Sequence, residues 1–175
     1  MNLDELGEIM DRSTRSAFRL ETLPQYLVPG EKAALAKWRA GEPRTLRTPE
    51  NTPWLAEVQE RAAQGYRRYR VHILDWPLSD YVRFEISSYL ETDVFGIETY
   101  LVDRHEHEEL QDLHEDFWLM DDEIAVRMVY DDEGHFLHPE RTDDVGPYLK
   151  MRDTALRHAV PLNDYLAARD VKLTI

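Results

Sequence analysis

The stretch Asp116–Phe136, DFWLMDDEIAVRMVYDDEGHF, decides the fold of this chain. Phe117-Trp118-Leu119-Met120 is a continuous apolar run, the mark of a strand covered on both faces. Beyond Asp121-Asp122, side-chain alternation puts Ile124, Val126, Met128 and Tyr130 on one side of a second strand. Ala125, Arg127 and Val129 fall on the other. Asp131-Asp132-Glu133-Gly134 has the composition of a short hairpin loop, with Gly134 free to take a positive φ at its end. The segment therefore reads as two successive turns holding three short strands. It predicts a sheet core and carries no catalytic signature.

Working outward, Arg70–Leu74 predicts a strand ended by Asp75-Trp76-Pro77, and Ser79–Leu90 predicts a helix entered through that proline. A further strand is expected over Glu98–Val102, followed by an acidic connector, His105–Glu115. A long helix is expected from about Asp143 to Ala159, broken by Pro161, with a shorter one over Leu162–Arg169. The N-terminal third reads as helical and irregular. Leu3, Leu6, Ile9 and Met10 mark one short amphipathic helix, and Gly41 closes a second over EKAALAKWRA. A third starts near Thr48-Pro49 or at Pro53, carries Trp54, Leu55 and Val58, and ends at Gly65. The order predicts an α/β domain, a mixed sheet of about five strands with packed helices. Residues 1–66 are expected to form a helical arm packed on a core of residues 67–175, one domain overall.

A chain of 175 residues is long enough to hide roughly 70% of its unfolded surface without a staple. With no cysteine it has no disulfide framework, thiolate nucleophile or thiolate-bound metal. No apolar run approaches the ~20 residues that span a bilayer, and the acidic start MNLDELGEIM is unlike a signal peptide. A cytoplasmic protein with no membrane association is expected. The formal charge of −14, from 35 acidic and 21 basic residues, repels phosphate backbones, so direct nucleic-acid binding is not expected. Two basic clusters, Arg61/Arg67/Arg68/Arg70 and Arg39/Arg44/Arg47, read as locally paired. The acidity suits a basic protein partner, or mimicry of nucleic acid.

Helical geometry singles out two charges. On the helix from Asp143, Arg152 falls in the middle of the stripe Val145, Leu149, Leu156 and Ala159. On the helix from Ser79, Glu85 falls in the stripe Leu78, Tyr81, Val82 and Tyr89. An unpaired charge against a core costs several kcal/mol, ~3–5 when a partner is removed. Arg152 is therefore expected to meet Glu85, or else Asp121 or Asp122 in the turn. Such a pair serves structural specificity or, with Tyr81 and Arg83 as neighbours, holds an anion. His105, His107 and His114 supply ligand types for zinc, but in RHEHEELQDLHED no apolar shell fixes them, so no metal is expected. Adjacent acids such as Asp121-Asp122, Asp131-Asp132 and Asp143-Asp144 are turn formers before they are catalysts. The four tryptophans read as packing aromatics. No glycine-rich phosphate loop, nucleophile elbow or HExxH is present, and no cofactor is implied.

FRLETLPQYLVPGE from Phe18, WRAGEP from Trp38, RTPENTPWL from Arg47, PLSDYVRFE from Pro77 and DFWLMDD from Asp116 together resemble an actinobacterial domain-of-unknown-function family, number 6879. The resemblance covers nearly the whole chain. It implies no established activity; members are often encoded near helix-turn-helix regulators. That implies a regulatory or partner role, with a DNA-binding regulator as one partner and self-association left open. The sheet, the Asp121-Asp122 hairpin and the closing helix are also distantly similar to half of a phospholipase D-like fold. No His-x-Lys, the motif of those hydrolases, occurs in this sequence, so the nucleophile is missing.

Overall fold

The computed structural model describes residues 1–43, 45–169, 171 and 173. Three helices precede the first predicted strand: α1 (Leu3–Arg12), α2 (Lys32–Arg39) and α3 (Pro53–Ala63). The Asn2 side chain caps α1 in a reciprocal capping box with Glu5. Pro53 sits at the first helical position of α3, which settles its start in favour of that proline. Between α1 and α2 lies a strand the sequence did not suggest, β1 (Ser16–Glu21). The remaining elements are β2 (Arg67–Leu74), α4 (Asp80–Thr92), β3 (Ile97–Asp103), β4 (Asp116–Met120), β5 (Ile124–Tyr130), β6 (Phe136–Thr142), α5 (Gly146–His158), β7 (Val160–Pro161) and α6 (Leu162–Arg169).

All strands join one mixed sheet in the order β6-β5-β4-β1-β2-β3-β7. The pairs β1–β2 and β2–β3 are parallel, and the others are antiparallel. Among the described residues the expected strand count of about five is corrected to seven by β1 and β7. β1 is the central strand, so residues 1–66 are more than a helical arm. SAFRLE alternates Phe18 and Leu20 with Arg19 and Glu21, and charges on a face that turns out to be buried disguise the strand. β7 holds Pro161, read as a helix breaker; at the sheet edge its missing N–H costs no ladder bond. α5 starts at Gly146, later than expected, with Pro147 in its first turn.

One sheet face is apolar. Phe18, Leu20, Tyr69, Val71, Ile73, Val102, Phe117, Leu119 and Ala125 pack there against Tyr148, Leu149, Met151 and Leu156 of α5. The stripe predicted for α5 is thus the face that packs. The opposite face is shared. Leu6 of α1 meets Met120 and Val126, while Val82, Ile86 and Tyr89 of α4 meet Leu74 and Leu101. Fully burying each such aliphatic or aromatic side chain contributes about 1.5–3 kcal/mol. Tyr165 and Arg169 of α6 both reach Asp103 at the end of β3, which pins the C-terminal helix. No helix of the described residues is long and apolar enough to cross a membrane.

Candidate functional site

The shared sheet face carries charge at its centre. Arg19 and Glu21 of β1, Arg68, Arg70 and His72 of β2 and Asp116 of β4 all point to it, because each alternates with a residue of the apolar face. Cross-strand register places Arg19 beside both Arg70 and Trp118, and Glu21 beside His72. Arg19 donates to Asp116 at 2.8 Å and approaches Glu21 at 3.6 Å. Asp116 also accepts from the Thr22 backbone and hydroxyl at 2.9 and 2.7 Å and from the Tyr26 hydroxyl at 2.6 Å. Burial disfavours the charge on Arg19, yet Asp116, Tyr130 and Glu21 outweigh it and hold the guanidinium more firmly charged than usual.

Glu21 is the hub of the second half. Arg70 donates to it at 3.4 Å, and the Tyr89 hydroxyl, whose one proton Glu21 shares with His72 Nδ1, lies at 3.2 Å. Burial would raise its carboxyl, but Arg70 and Arg19 keep it below the usual range. His72 is fully buried, with Nε2 at 3.2 Å from the Leu23 carbonyl and Nδ1 at 3.0 Å from the Tyr89 hydroxyl. A carbonyl only accepts, so Nε2 carries the ring proton, and burial keeps the imidazole neutral by lowering its pKa. Glu85 comes down from α4 to 3.6 Å from His72 Nδ1. Its carboxyl is pushed well above the ordinary range, first by burial and then by Glu21, which favours the acid form.

Above this layer, between α3, α4 and β2, is a cavity of about 170 Å³ walled by Trp54, Arg70, Glu85, Ser88, Tyr89 and Thr92, with Glu31, Arg47 and Phe84. Two of its residues keep a buried hydrogen-bonding atom without a protein partner, Nε of Arg70 and Oε2 of Glu85. A second, larger depression of about 470 Å³ lies between the Leu23–Gln25 loop and the β5–β6 hairpin. It is acidic, bordered by Glu115, Asp131, Asp132 and Glu133.

The expected Arg152–Glu85 pair does not form. Arg152 lies against the α5 face, donating to Asp122 at 2.5 Å, to Asp153 at 2.9 Å and to the Tyr69 hydroxyl at 3.4 Å. Glu85 lies on the other side, beside His72, and the sheet separates the two. The alternative stated for Arg152, the turn carboxylate, is the contact that occurs. Asp121 serves the backbone instead: its carboxylate accepts from the N–H groups of Thr14, Arg15 and Ser16 at 2.8, 2.7 and 2.8 Å. Tyr81 is buried and donates to Glu31 at 2.8 Å, and Arg83 makes no ion pair among the described residues. Among the described residues no three histidines or acids converge as metal ligands. The connector is anchored rather than purely solvated: Leu110 is buried, and Arg104 donates to the Leu110 and Leu113 carbonyls at 3.0 and 2.5 Å. Trp54 and Trp76, read as packing aromatics, are 37% and 42% exposed.

The basic clusters dissolve into separate roles. Arg67 pairs with Glu98 at 2.8 Å on the apolar side, and Arg61 donates to the Met10 and Ser13 carbonyls. Arg68 stands over the rings of Trp54 and Trp118, at 5.2 and 5.5 Å. Arg44, in the second cluster, lies outside the described residues. Sequence reasoning missed Arg19, Glu21, His72 and Asp116. The signal was present in the alternation of charge with Phe18, Leu20, Val71 and Ile73 along two strands.

A seven-stranded α/β protein with a layer of buried ionic and phenolic groups under one sheet face is the class that fold and site define. The chain belongs to the family described as a domain of unknown function (DUF6879), which it matches over residues 4–167. No curated protein matches it.

Proposed function

We propose that the protein is a non-enzymatic, cytoplasmic binding protein of regulatory type, whose acidic exterior engages a basic surface on a protein partner. The observation that supports this is the acidic depression beside the β5–β6 hairpin. Among the described residues its walls include Glu115, Asp131, Asp132 and Glu133 but only one arginine or lysine, Arg127, and that side chain is committed to Glu140 at 2.8 Å. Next to it Leu27 and Val28 are 39% and 43% exposed, in a segment tied to the hairpin by the Leu27 N–H to the Gly134 carbonyl at 2.8 Å. Acidic groups around exposed aliphatic surface suit a partner with arginine or lysine at its rim.

Meanwhile Arg19 and Arg70 take Asp116 and Glu21 inside with them, so these buried pairs cancel and leave the net negative charge to the exterior. Such an exterior suits a DNA-binding regulator only if the regulator itself supplies the contacts to phosphate. The alternative, a degenerate phospholipase D-like enzyme or anion binder holding its ligand with Arg152 and Glu85, needs the two in one cleft, and the sheet between them argues against it. The test is affinity capture from native cytosol with the intact protein and with the variant Asp132→Lys/Glu133→Lys. The expected result is a polypeptide retained by the former, lost by the latter and released by raised salt. Equal retention by both proteins would overturn the reading.

A further inference from the structure

We propose that the cavity between α3, α4 and β2 binds a small oxyanion, the carboxylate or phosphate group of a compact ligand, received by Arg70 and the Glu85 carboxyl with Trp54 as its exposed wall. Three observations converge. The first is charge. Arg19, Arg68 and Arg70 are neighbours on one sheet face, since β1–β2 register sets Ala17 beside Arg68 and Arg19 beside Arg70. Asp116 and Glu21 are matched to Arg19 and Arg70. Arg68 lies behind the Trp54 wall of the cavity, over the Trp54 and Trp118 rings, and no acid lies within ion-pair distance of it among the described residues. Burial and the neighbouring Arg70 push its pKa down to about 10, the mark of a cation short of negative charge.

The second is unmet hydrogen bonding. Arg70 and Glu85 both wall the cavity, and each keeps one buried polar atom without a protein partner. Such an atom costs about 1–3 kcal/mol unless something bonds to it. Arg70 only donates, so the partner its Nε lacks is an acceptor, and a protonated Glu85 carboxyl can donate beside it. A carboxylate or phosphate oxygen satisfies both. The third is size. At about 170 Å³ the space holds a few heavy atoms, against a share of ~30 Å³ for each water in the liquid. It suits an isolated oxyanion or a short acid and is too small for a nucleotide. At the mouth Arg47 is engaged by Glu91 at 3.2 Å, and Glu31 accepts from Tyr81, so neither charge is idle there.

Glu85 makes the affinity depend on pH. It is faced by Glu21, Glu31, Arg19, Arg70, His72, Tyr26, Tyr81 and Tyr89, and burial with Glu21 favours its protonated form. As pH rises through its elevated pKa, a donor becomes a carboxylate that repels the ligand. Binding therefore weakens on the alkaline side.

Titration calorimetry on the intact protein with inorganic phosphate, sulfate and succinate tests this. At least one anion is expected to bind saturably. Ser88→Leu, which fills the cavity and leaves every charge in place, is expected to weaken it tenfold or more, as is Arg70→Met. Arg152→Met, on the opposite sheet face, is expected to leave it unchanged. For sulfate, whose own charge is constant, affinity is expected to fall as pH is raised in the parent protein and to stay level in Glu85→Gln. Absence of saturable binding for all three anions, or binding that survives Ser88→Leu, overturns the proposal. Should Arg70→Met fail to fold, the Ser88 variant still decides.

Discussion

Asp121 shows how far a residue's role depends on what lies across from it. With Asp122 it takes a positive φ, 53° and 62°, in the turn joining β4 to β5, a backbone that aspartate tolerates better than most side chains. Its carboxylate then collects three backbone N–H groups from the segment entering β1, which ties the hairpin to the start of the central strand. Burial opposes ionisation there, but the Thr14, Ser16 and Arg15 amides prevail and lower the carboxyl below its ordinary value. A depressed carboxylate contributes stability that is present above the unfolded pKa, about 3.9, and is lost as pH falls through the folded one. Asp121→Ala is expected to cost about 1–2 kcal/mol at pH 7, the lower range for charge-assisted bonds at an exposed site. The loss should shrink below pH 4, where Asp121 of the unfolded chain takes up a proton before that of the folded protein. Urea unfolding at pH 7 and pH 3 measures both, and a deficit that is equal at the two values refutes the assignment.

At the level of elements, most of the fold was legible. The apolar run of β4, the alternation of β5, the helix after Pro77 and the α5 stripe were all set by local periodicity. β1 was hidden because its alternate residues are charged, and charge was read as exposure. Beyond their contact with each other, the partners that let Arg19 and Glu21 be buried come from elements far away in sequence, β2, β4 and α4. The same limit undid the Arg152–Glu85 pairing: helical geometry says which charge faces the sheet, but not which side of the sheet its helix covers. α5 covers the face of Phe18 and Val71, and α4 the face of His72 and Leu74. Substitutions that share no partner add, within about 0.5 kcal/mol. Glu85→Gln and Arg152→Met are accordingly expected to be additive in a double-mutant cycle followed by thermal or urea unfolding. A coupling above about 1 kcal/mol contradicts the separation by the sheet.

For the molecule as a whole, the position of β1 decides what can be removed. Phe18 and Leu20 are fully buried in the apolar core, and the same strand carries Arg19 and Glu21 into the ionic layer of the other face. Taking it away leaves β2 and β4 with unpaired edges and deletes two core side chains at about 1.5–3 kcal/mol each. It also leaves Asp116 and Arg70 buried without their ionic partners, a further ~3–5 kcal/mol for each broken pair. Against a total stability of about 5–15 kcal/mol, that sum is fatal. A helical arm resting on an independent core would instead come off with a modest loss. A chain beginning at residue 23 is therefore expected to show no cooperative thermal or urea transition. Removing residues 1–12, which forfeits the Leu6 contact but spares β1, should leave a folded protein of lower stability. Far-ultraviolet circular dichroism with urea titration separates these outcomes, and a cooperative transition in the shorter chain would return β1 to the status of a dispensable arm.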